Sequence, residues 1–324
     1  LKVSTKEFDE GFHDFVAGKL SEYKLLPAIQ LDDPRDLVEL DEDGEASVDD
    51  LVKLARWYFQ KDKESTDARK WAGMAAKMGV ESKELHYILG MLAKYDPSKS
   101  LSKAQQAAKA REHLSKAINM GLEDYYLYLE MAELAQQSNE LDLSLFFLNR
   151  ARRAFPTNPE PIRRLLGLYG GMGNEAKAQE LGEDLVMLDE NEVEVRKFLL
   201  NRYKETGDFE AAADMGLQLV YINPYDIDTH LERGRMLREM ADLDSALFEF
   251  RRAYDAAVAH ENAQTTALGK ETALIEIFET YFREGKVDLA MQSFERLAAE
   301  FPGSSGMERI RKRIEDEDKE THFP

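Results

Sequence analysis

The sequence contains no cysteine, and only 9 of its 324 residues are proline. The absence of cysteine excludes disulfides, thiolate metal sites and thiol nucleophiles. No apolar run reaches the roughly 20 residues that a membrane-spanning helix requires, so membrane insertion is not predicted. The composition is 43% hydrophobic and 33% charged, without low-complexity bias, which is typical of a helical chain.

Basic residues are also few relative to acidic ones. The chain has 43 lysines and arginines against 63 aspartates and glutamates, which gives a net charge of −20. A charge of this sign repels phosphate backbones and anionic lipid, so we expect no nucleic-acid partner. A local basic patch remains compatible with the total.

No complete catalytic or metal-binding motif is present, so we predict neither an enzyme nor a cofactor. The six histidines form neither H-E-x-x-H nor a zinc-finger spacing. The glycine-rich stretch 167–174 has no preceding strand, which a phosphate-binding loop would need. We interpret it as a thin or kinked helix end whose Gly167, Gly170 and Gly171 leave a roomy surface.

A period of thirty-four residues runs from Tyr125 to about Val258. Position 20 of each period is small, and its occupants are Ser144, Ala178, Ala212 and Ala246. Glycine recurs at position 15 and proline at position 32, as Gly173, Gly207, Pro156 and Pro224. This pattern resembles the tetratricopeptide (TPR) repeat. The resemblance implies an all-α fold, a right-handed α-solenoid of antiparallel helix pairs, which acts as a scaffold for protein or peptide partners.

The repeat pattern extends over 48–302. We predict units near 48–80, 83–124, 125–158, 159–192, 193–226, 227–270 and 271–302. Residues 1–31 are interpreted as a helical cap or the remnant of a preceding domain, and 32–47 as a solvated acidic linker rather than a calcium loop. Residues 303–324 are expected to form a capping helix, frayed beyond Ile314, and a tail.

Two segments depart from the period. The unit 83–124 contains eight extra residues, which we place in a loop at 94–103 around Pro97; its glycine and alanine steps resemble Sel1-like repeats. The unit from Ile227 has Val258 where proline would stop its second helix, and the pattern resumes ten residues late at Glu271. We therefore expect an over-long second helix there. Both departures are candidate partner contacts.

Packing positions can be assigned from the same register. Small residues at positions 8 and 27 should let paired helices approach closely: Gly90, Ala132, Gly234, Ala117, Ala151 and Ala253. Large residues should fill the space between successive pairs. Aromatic residues at such positions are expected in the core: Tyr128, Phe147, Tyr169, Tyr203, Phe278 and Phe294.

In TPR proteins the first helices line a concave groove. Their groove-facing positions here supply an excess of basic and amide groups, namely Arg163, Lys197, Asn201, Lys204, Arg235 and Arg238. Lys197 and Asn201 resemble the start of the carboxylate clamp of chaperone-binding TPR domains, whereas Glu232 stands where that clamp has asparagine. We predict an acidic peptide or a C-terminal carboxylate as ligand. The alternative is a solvated surface of ordinary ion pairs.

The N-terminal run KEFDEGFHDFVAGKL is similar to the helix that supplies the third zinc ligand in gluzincin-type (MA-class) metallopeptidases. Glu10 would inherit that role, although the H-E-x-x-H helix is missing from this sequence. The chain would then be the C-terminal TPR region of a larger secreted bacterial peptidase, recruiting protein substrates outside the cytoplasm. The alternatives are an amphipathic capping helix and a cytoplasmic location. Because the chain begins with Leu1 and not methionine, we expect a cleaved or truncated product.

Overall fold

A computed structural model describes residues 37–38, 46–98, 100–259 and 262–321. Over these ranges the chain forms fifteen longer helices and no strand, which confirms the all-α prediction. The chain divides into an N-terminal part that ends at Gly173 and a C-terminal part that begins at Asn174. Each part is a series of stacked helix pairs.

The N-terminal part contains seven helices. They are α1 (Val48–Lys61), α2 (Thr66–Lys77), α3 (Lys83–Lys94), α4 (Lys103–Asn119), α5 (Tyr125–Gln137), α6 (Leu141–Ala154) and α7 (Glu160–Gly171). Helices α1 and α2, α3 and α4, and α5 and α6 pack as pairs, and α7 packs on α6.

The C-terminal part contains eight helices. They are α8 (Glu175–Leu188), α9 (Val193–Thr206), α10 (Phe209–Ile222), α11 (Ile227–Glu239), α12 (Leu243–Ala259), α13 (Ala263–Arg283), α14 (Val287–Glu300) and α15 (Ser305–Thr321). The pairs are α9 with α10, α11 with α12, and α13 with α14. Helix α8 packs on α9, and α15 packs on α13 and α14. The predicted boundaries of the repeat units stay a prediction.

Local sequence explains where the helices begin. The Ser47 side chain accepts a hydrogen bond from the Asp50 amide, and Asp50 accepts one from the Ser47 amide. Ser102 and Gln105 form the same reciprocal box at α4. Each box satisfies two amides that the first helical turn leaves without a partner.

From Tyr125 onward, position 15 of the repeat lies just after the end of α5, α7, α9, α11 and α13. Its occupants all have positive φ: Asn139 (58°), Gly173 (69°), Gly207 (78°), Ala241 (61°) and Gly285 (74°). The residue that follows donates its amide proton back to the last helical turn, as Asp242 does to the Leu237 carbonyl at 2.9 Å. The left-handed turn reverses the chain and lets the second helix pack against the first.

The small positions lie at the helix contacts, as predicted. The four residues at position 20 are at most 2% exposed. A Cβ on Gly90 would lie 2.7 Å from the Leu114 side chain, so only glycine allows this approach of α3 and α4. In contrast, a Cβ on Gly167, Gly170 or Gly171 would meet nothing within 4 Å, in agreement with a roomy surface there.

The aromatic prediction is confirmed in part. Tyr128, Phe147 and Phe278 are buried. Tyr203 and Phe294 are only partly buried, packed against the core of the C-terminal part, and Tyr169 is also partly exposed. Each of these three side chains lies at the edge of a helix contact rather than inside it.

The extra residues of the unit 83–124 form a loop between α3 and α4, as predicted. Arg69 in α2 donates hydrogen bonds to the carbonyls of Leu92 and Tyr95, at 2.9 and 2.8 Å. The Gln106 amide donates to the Asp96 carbonyl at 2.9 Å. These bonds attach the loop to the helices on either side of it.

The prediction of an over-long second helix in the unit from Ile227 placed the extra length in the wrong helix. Helix α12 ends at Ala259 after 17 residues, and most of the extra length lengthens α13, which has 21 residues. The Asn262 side chain accepts hydrogen bonds from the amides of Gln264 and Thr265, so it caps the new helix. Helix α15 runs to Thr321, and the expected fraying beyond Ile314 stays a prediction.

Candidate functional site

The first helices of the C-terminal part carry a chain of ion pairs that crosses from one repeat to the next. Lys204 in α9 pairs with Glu232 in α11. Glu232 also pairs with Arg235 at 2.6 Å, and Arg235 pairs with Glu276 in α13 at 2.7 Å. Glu276 in turn pairs with Arg238 at 2.7 Å. We call these five residues the first-helix ion chain.

The ion chain is electrostatically matched. Burial alone would raise the pKa of Glu232, but the hydrogen bond and charge of Lys204, with the charge of Arg235, lower it. Burial likewise opposes the charged form of Arg235, yet Glu276 and Glu232 raise its pKa. The lowered pKa of Glu232 and the raised pKa of Arg235 both favour the charged forms, and basic and acidic residues alternate along the chain.

Arg238 is the most enclosed of the predicted groove cations. Its side chain is 9% exposed, and its guanidinium lies over the Phe250 ring, 5.4 Å from the centroid. It also donates to the Thr280 hydroxyl at 3.4 Å. Arg238 therefore ties α11 to α12 and α13, and little of it faces solvent.

Lys197 and Asn201 are more accessible. The Lys197 side chain is 46% exposed and pairs at 3.5 Å with Glu194, which is itself 86% exposed. Asn201 is exposed one turn further along α9. Together with Lys204, they form a stripe at i, i+4 and i+7, which is a single helix face.

Arg163 belongs to the N-terminal part, and its Nη1 lies 3.8 Å from a carboxylate oxygen of Glu160. The other five predicted site residues lie in the C-terminal part. Grouping Arg163 with them stays a prediction.

A cavity of about 650 Å³ lies between α11 and α13, next to the ion chain. Glu232 and Arg235 line it together with Leu231 and Leu268, the latter 65% exposed. Gly269 closes one side, where a Cβ would lie 2.8 Å from that of Ala257. The first turns of the lengthened α13 thus supply one wall.

Sequence reasoning missed Glu276 and Leu268. Glu276 holds position 6 of its repeat, the same position as Glu232 in the repeat before, so the repeat register could have identified it. Leu268 lies in the segment that departs from the period, where the register assigns no position. Only the placement of α13 shows that it faces the cavity.

The described part of the chain holds neither a metal site nor a membrane-spanning helix. Among the described residues, no group of three or more histidines and carboxylates could hold a metal ion. Nor does that part of the chain include a helix both long and apolar enough to span a bilayer. Glu10, the N-terminal run and the acidic linker around Asp43 lie outside the described residues.

No family model matches the chain, and no curated protein matches it in sequence. Among solved structures, it is similar to YrrB, a TPR protein described as having an unusual peptide-binding site. The identity is 18%, the TM-score is 0.43, and the match covers 62% of this chain and 99% of that one. A TPR protein from Parabacteroides merdae is 13% identical, with a TM-score of 0.40 and coverage of 82% and 97%. The pilus biogenesis factor PilW is 15% identical, with a TM-score of 0.36 and coverage of 70% and 97%.

These similarities are too low to assign a ligand, but the geometry of the repeat decides the fold. From Tyr125 to about Val258 the helices recur every thirty-four residues, with a left-handed turn at position 15 and a small residue at position 20. The fold is a TPR-like array of helix pairs. Such arrays present extended surfaces to protein partners. The resemblance of the N-terminus to a zinc peptidase is not shown.

Proposed function

We propose that this TPR array is a non-catalytic scaffold that binds a peptide segment across α9, α11 and α13. The observation that carries the proposal is the cavity of about 650 Å³ beside the first-helix ion chain, because Glu232 and Arg235 belong to both. A preformed cavity flanked by charged groups is the usual form of a peptide site.

The cavity suits an apolar side chain of the peptide. Leu231 is 5% exposed and forms part of its lining, while Leu268 on the opposite wall is 65% exposed. An apolar residue between them would remove Leu268 from water, which contributes about 25 cal/mol for each Å² buried. The charged rim, with Asp228 and Glu232 on α11, would position the peptide backbone.

The free carboxylate of the peptide is assigned to Lys197 and Asn201. The pair of Lys197 with Glu194 is exposed, so an incoming carboxylate displaces it at little cost. Arg235 and Arg238 already hold Glu276, whose side chain is only 12% exposed. Displacing that carboxylate would leave a buried charge unpaired, which is far more costly. Lys204 lies on the same face of α9 as Lys197 and Asn201 and pairs with Glu232, which lines the cavity. It therefore connects the carboxylate position to the cavity.

The test is a displayed library of random peptides with free C-termini, selected on the intact chain. Enriched sequences are then synthesised with a free carboxylate and with a C-terminal amide. We expect the amide to bind roughly tenfold more weakly, and Lys197→Ala with Asn201→Ala to cause a similar loss. Leu268→Asp should weaken both forms of the peptide.

Lys177→Ala is the matched control, because Lys177 on α8 also pairs with a glutamate three residues away, Glu180, at 2.6 Å. Equal affinity of the amide and the free acid would remove the carboxylate assignment. Affinity unchanged by Leu268→Asp would remove the cavity as the peptide site.

A further inference from the structure

The second helices of the C-terminal part expose large side chains on a different surface. Tyr221 is 79% exposed, Tyr225 68% and Phe248 56%. They line a cavity of about 720 Å³ between α10 and α12. We call this cavity the second-helix groove; its apolar lining is Leu217, Val220, Tyr221, Pro224, Tyr225 and Phe248. Exposed aromatic residues concentrated in one concave surface are typical of a binding site.

Hydrogen-bonded polar side chains form the floor of the groove. His230 Nδ1 lies 2.6 Å from a carboxylate oxygen of Glu249, and the two residues are 4% and 2% exposed. Arg233 pairs with the other oxygen of Glu249. These contacts join α11 to α12, and because Glu249 is held by two partners it offers no free charge to a ligand.

This floor is not a hydrolytic site. Ser245 also lines the groove, so a serine, a histidine and a glutamate are close in space. However, His230 Nε2 faces the Pro224 carbonyl at 3.1 Å. With Nδ1 on Glu249, both ring nitrogens are occupied, and neither can accept a proton from a nucleophile.

The rim of the groove is acidic. Asp244 and Asp255 line it from α12 and are exposed, and within the described ranges neither has a cation within 4.0 Å, although the charge of Asp244 does act on Lys286. Arg252, the exposed cation of the lining, lies over the Phe248 ring at 5.5 Å from the centroid. The unpaired rim charges thus favour a cationic ligand, and the chain as a whole carries −20.

The spacing of these groups follows one face of α12. Asp244, Phe248, Arg252 and Asp255 are separated by four, four and three residues, so they form a single stripe. Asp244 and Asp255 are three helical turns apart, about 16 Å. Two carboxylates at this distance, with Phe248 and the Arg252 guanidinium stacked on its ring between them, match an amphipathic helix that has basic residues near its ends.

We propose that the second-helix groove binds a cationic amphipathic helix of a partner protein. Its apolar face packs between Tyr221 and Phe248, and its lysines or arginines pair with Asp244 and Asp255. A second copy of this chain would bring the same acidic rim, so like charges oppose that occupant. The rim of the groove belongs to second helices, and of its lining residues only Tyr225 also lines the cavity between α11 and α13.

The probe is a fluorescein-labelled synthetic helix of leucine and lysine, about 14 residues long, titrated against the intact chain by fluorescence anisotropy. The matched probe has glutamate in place of every lysine. We expect the cationic probe to bind at least about tenfold more tightly, and Tyr221→Ala with Phe248→Ala to weaken it about tenfold. Lys197→Ala with Asn201→Ala should leave its affinity unchanged.

Charge-matched variants separate a defined site from general attraction to an acidic protein. Asp244→Asn with Asp255→Asn should weaken binding about three- to tenfold. Glu210→Gln with Asp214→Asn removes the same charge from exposed positions of α10 outside the groove, and should change affinity less than about twofold.

Equal effects of the two charge pairs would overturn the proposal, because attraction would then be general. Affinity unchanged by the aromatic substitutions would overturn it as well. Sedimentation that shows a dimer of the chain dissociated by Tyr221→Ala with Phe248→Ala would assign the groove to a second copy instead. The four altered side chains are exposed, so circular dichroism should report an unchanged helix content.

Discussion

Gly234 in α11 lies directly against the ring of Phe250 in α12, so closely that a Cβ on residue 234 would fall 2.5 Å from the ring atom Cε1. Phe250 is fully buried and has no room to withdraw. The distance between the two helices of this repeat is therefore set by the absence of a side chain at one position.

We expect Gly234→Ala to lower the free energy of unfolding by about 1–3 kcal/mol, because overpacking a rigid contact outweighs the better helix propensity of alanine. Urea unfolding followed by circular dichroism measures it. Gly167→Ala is the control, since its Cβ would enter open space and should be neutral or stabilising. Destabilisation by both substitutions would contradict the packing explanation.

Ala241 holds a left-handed backbone, with φ of 61°, at the position where the preceding repeat has Gly207. We expect Ala241→Gly to raise the free energy of unfolding by roughly 0.5–1 kcal/mol, because glycine adopts this conformation without steric strain. The reverse change, Gly207→Ala, should lower it by about 1 kcal/mol. Chemical denaturation should show the unfolding midpoints of the two variants shifted in opposite directions. Shifts in the same direction would contradict backbone strain at Ala241.

Glu276 is the shared partner of Arg235 and Arg238. Its removal in Glu276→Gln leaves the enclosed Arg238 guanidinium without a carboxylate partner and leaves Arg235 with Glu232 alone, so we expect a loss of about 2 kcal/mol in unfolding free energy. The control is Glu239→Gln, whose pair with Arg283 is exposed on both sides and should contribute no more than about 0.5 kcal/mol. Equal losses would show that the ion chain behaves as an ordinary surface pair.

Because substitutions in the ion chain are expected to lower the unfolding free energy, binding tests that alter it need a parallel measurement of stability.

His86 in α3 and His113 in α4 share a hydrogen bond between their Nδ1 atoms, which are 3.1 Å apart. One nitrogen must accept, so at least one of the two rings is neutral. Burial lowers the pKa of His113, the charge of His86 lowers it further, and Lys116 and Lys109 act in the same direction against Glu112. Glu81 lies against the other nitrogen of His86, and the lowered pKa of His113 favours the neutral form of the His113 ring.

A histidine whose pKa is lowered on folding binds more protons when unfolded, so stability rises with pH through the ordinary histidine value, about 6.5. We expect the thermal midpoint of the chain to fall between pH 7 and pH 5, and that fall to be reduced in His113→Gln. Glu81, whose pKa is lowered by its hydrogen bond to His86, contributes only at more acidic pH. An identical pH profile of the variant and the parent chain would exclude the histidine pair as the cause.

Much of the fold could be predicted from the sequence. The small residue at position 20, the turn at position 15 and the close approach at Gly90 depend on local backbone geometry and on side-chain volume. These requirements recur in every repeat, and periodicity makes them visible in one sequence. The groove-facing positions of Lys197 and Asn201 follow from the same register.

Tertiary structure alone decided what the charged residues do. From the sequence alone, Arg235 and Arg238 are predicted to be free cations of the groove. In the structure α13 places Glu276 against both of them, although Glu276 lies forty-one and thirty-eight residues further along the chain. Likewise, only the tertiary structure shows that His230 contacts Glu249 and that Asp244 and Asp255 line the same groove. A charged residue on a helix face shows only that a group is available to form an ion pair. Which partner it finds depends on how successive helix pairs stack, and the sequence of a single repeat does not determine that stacking.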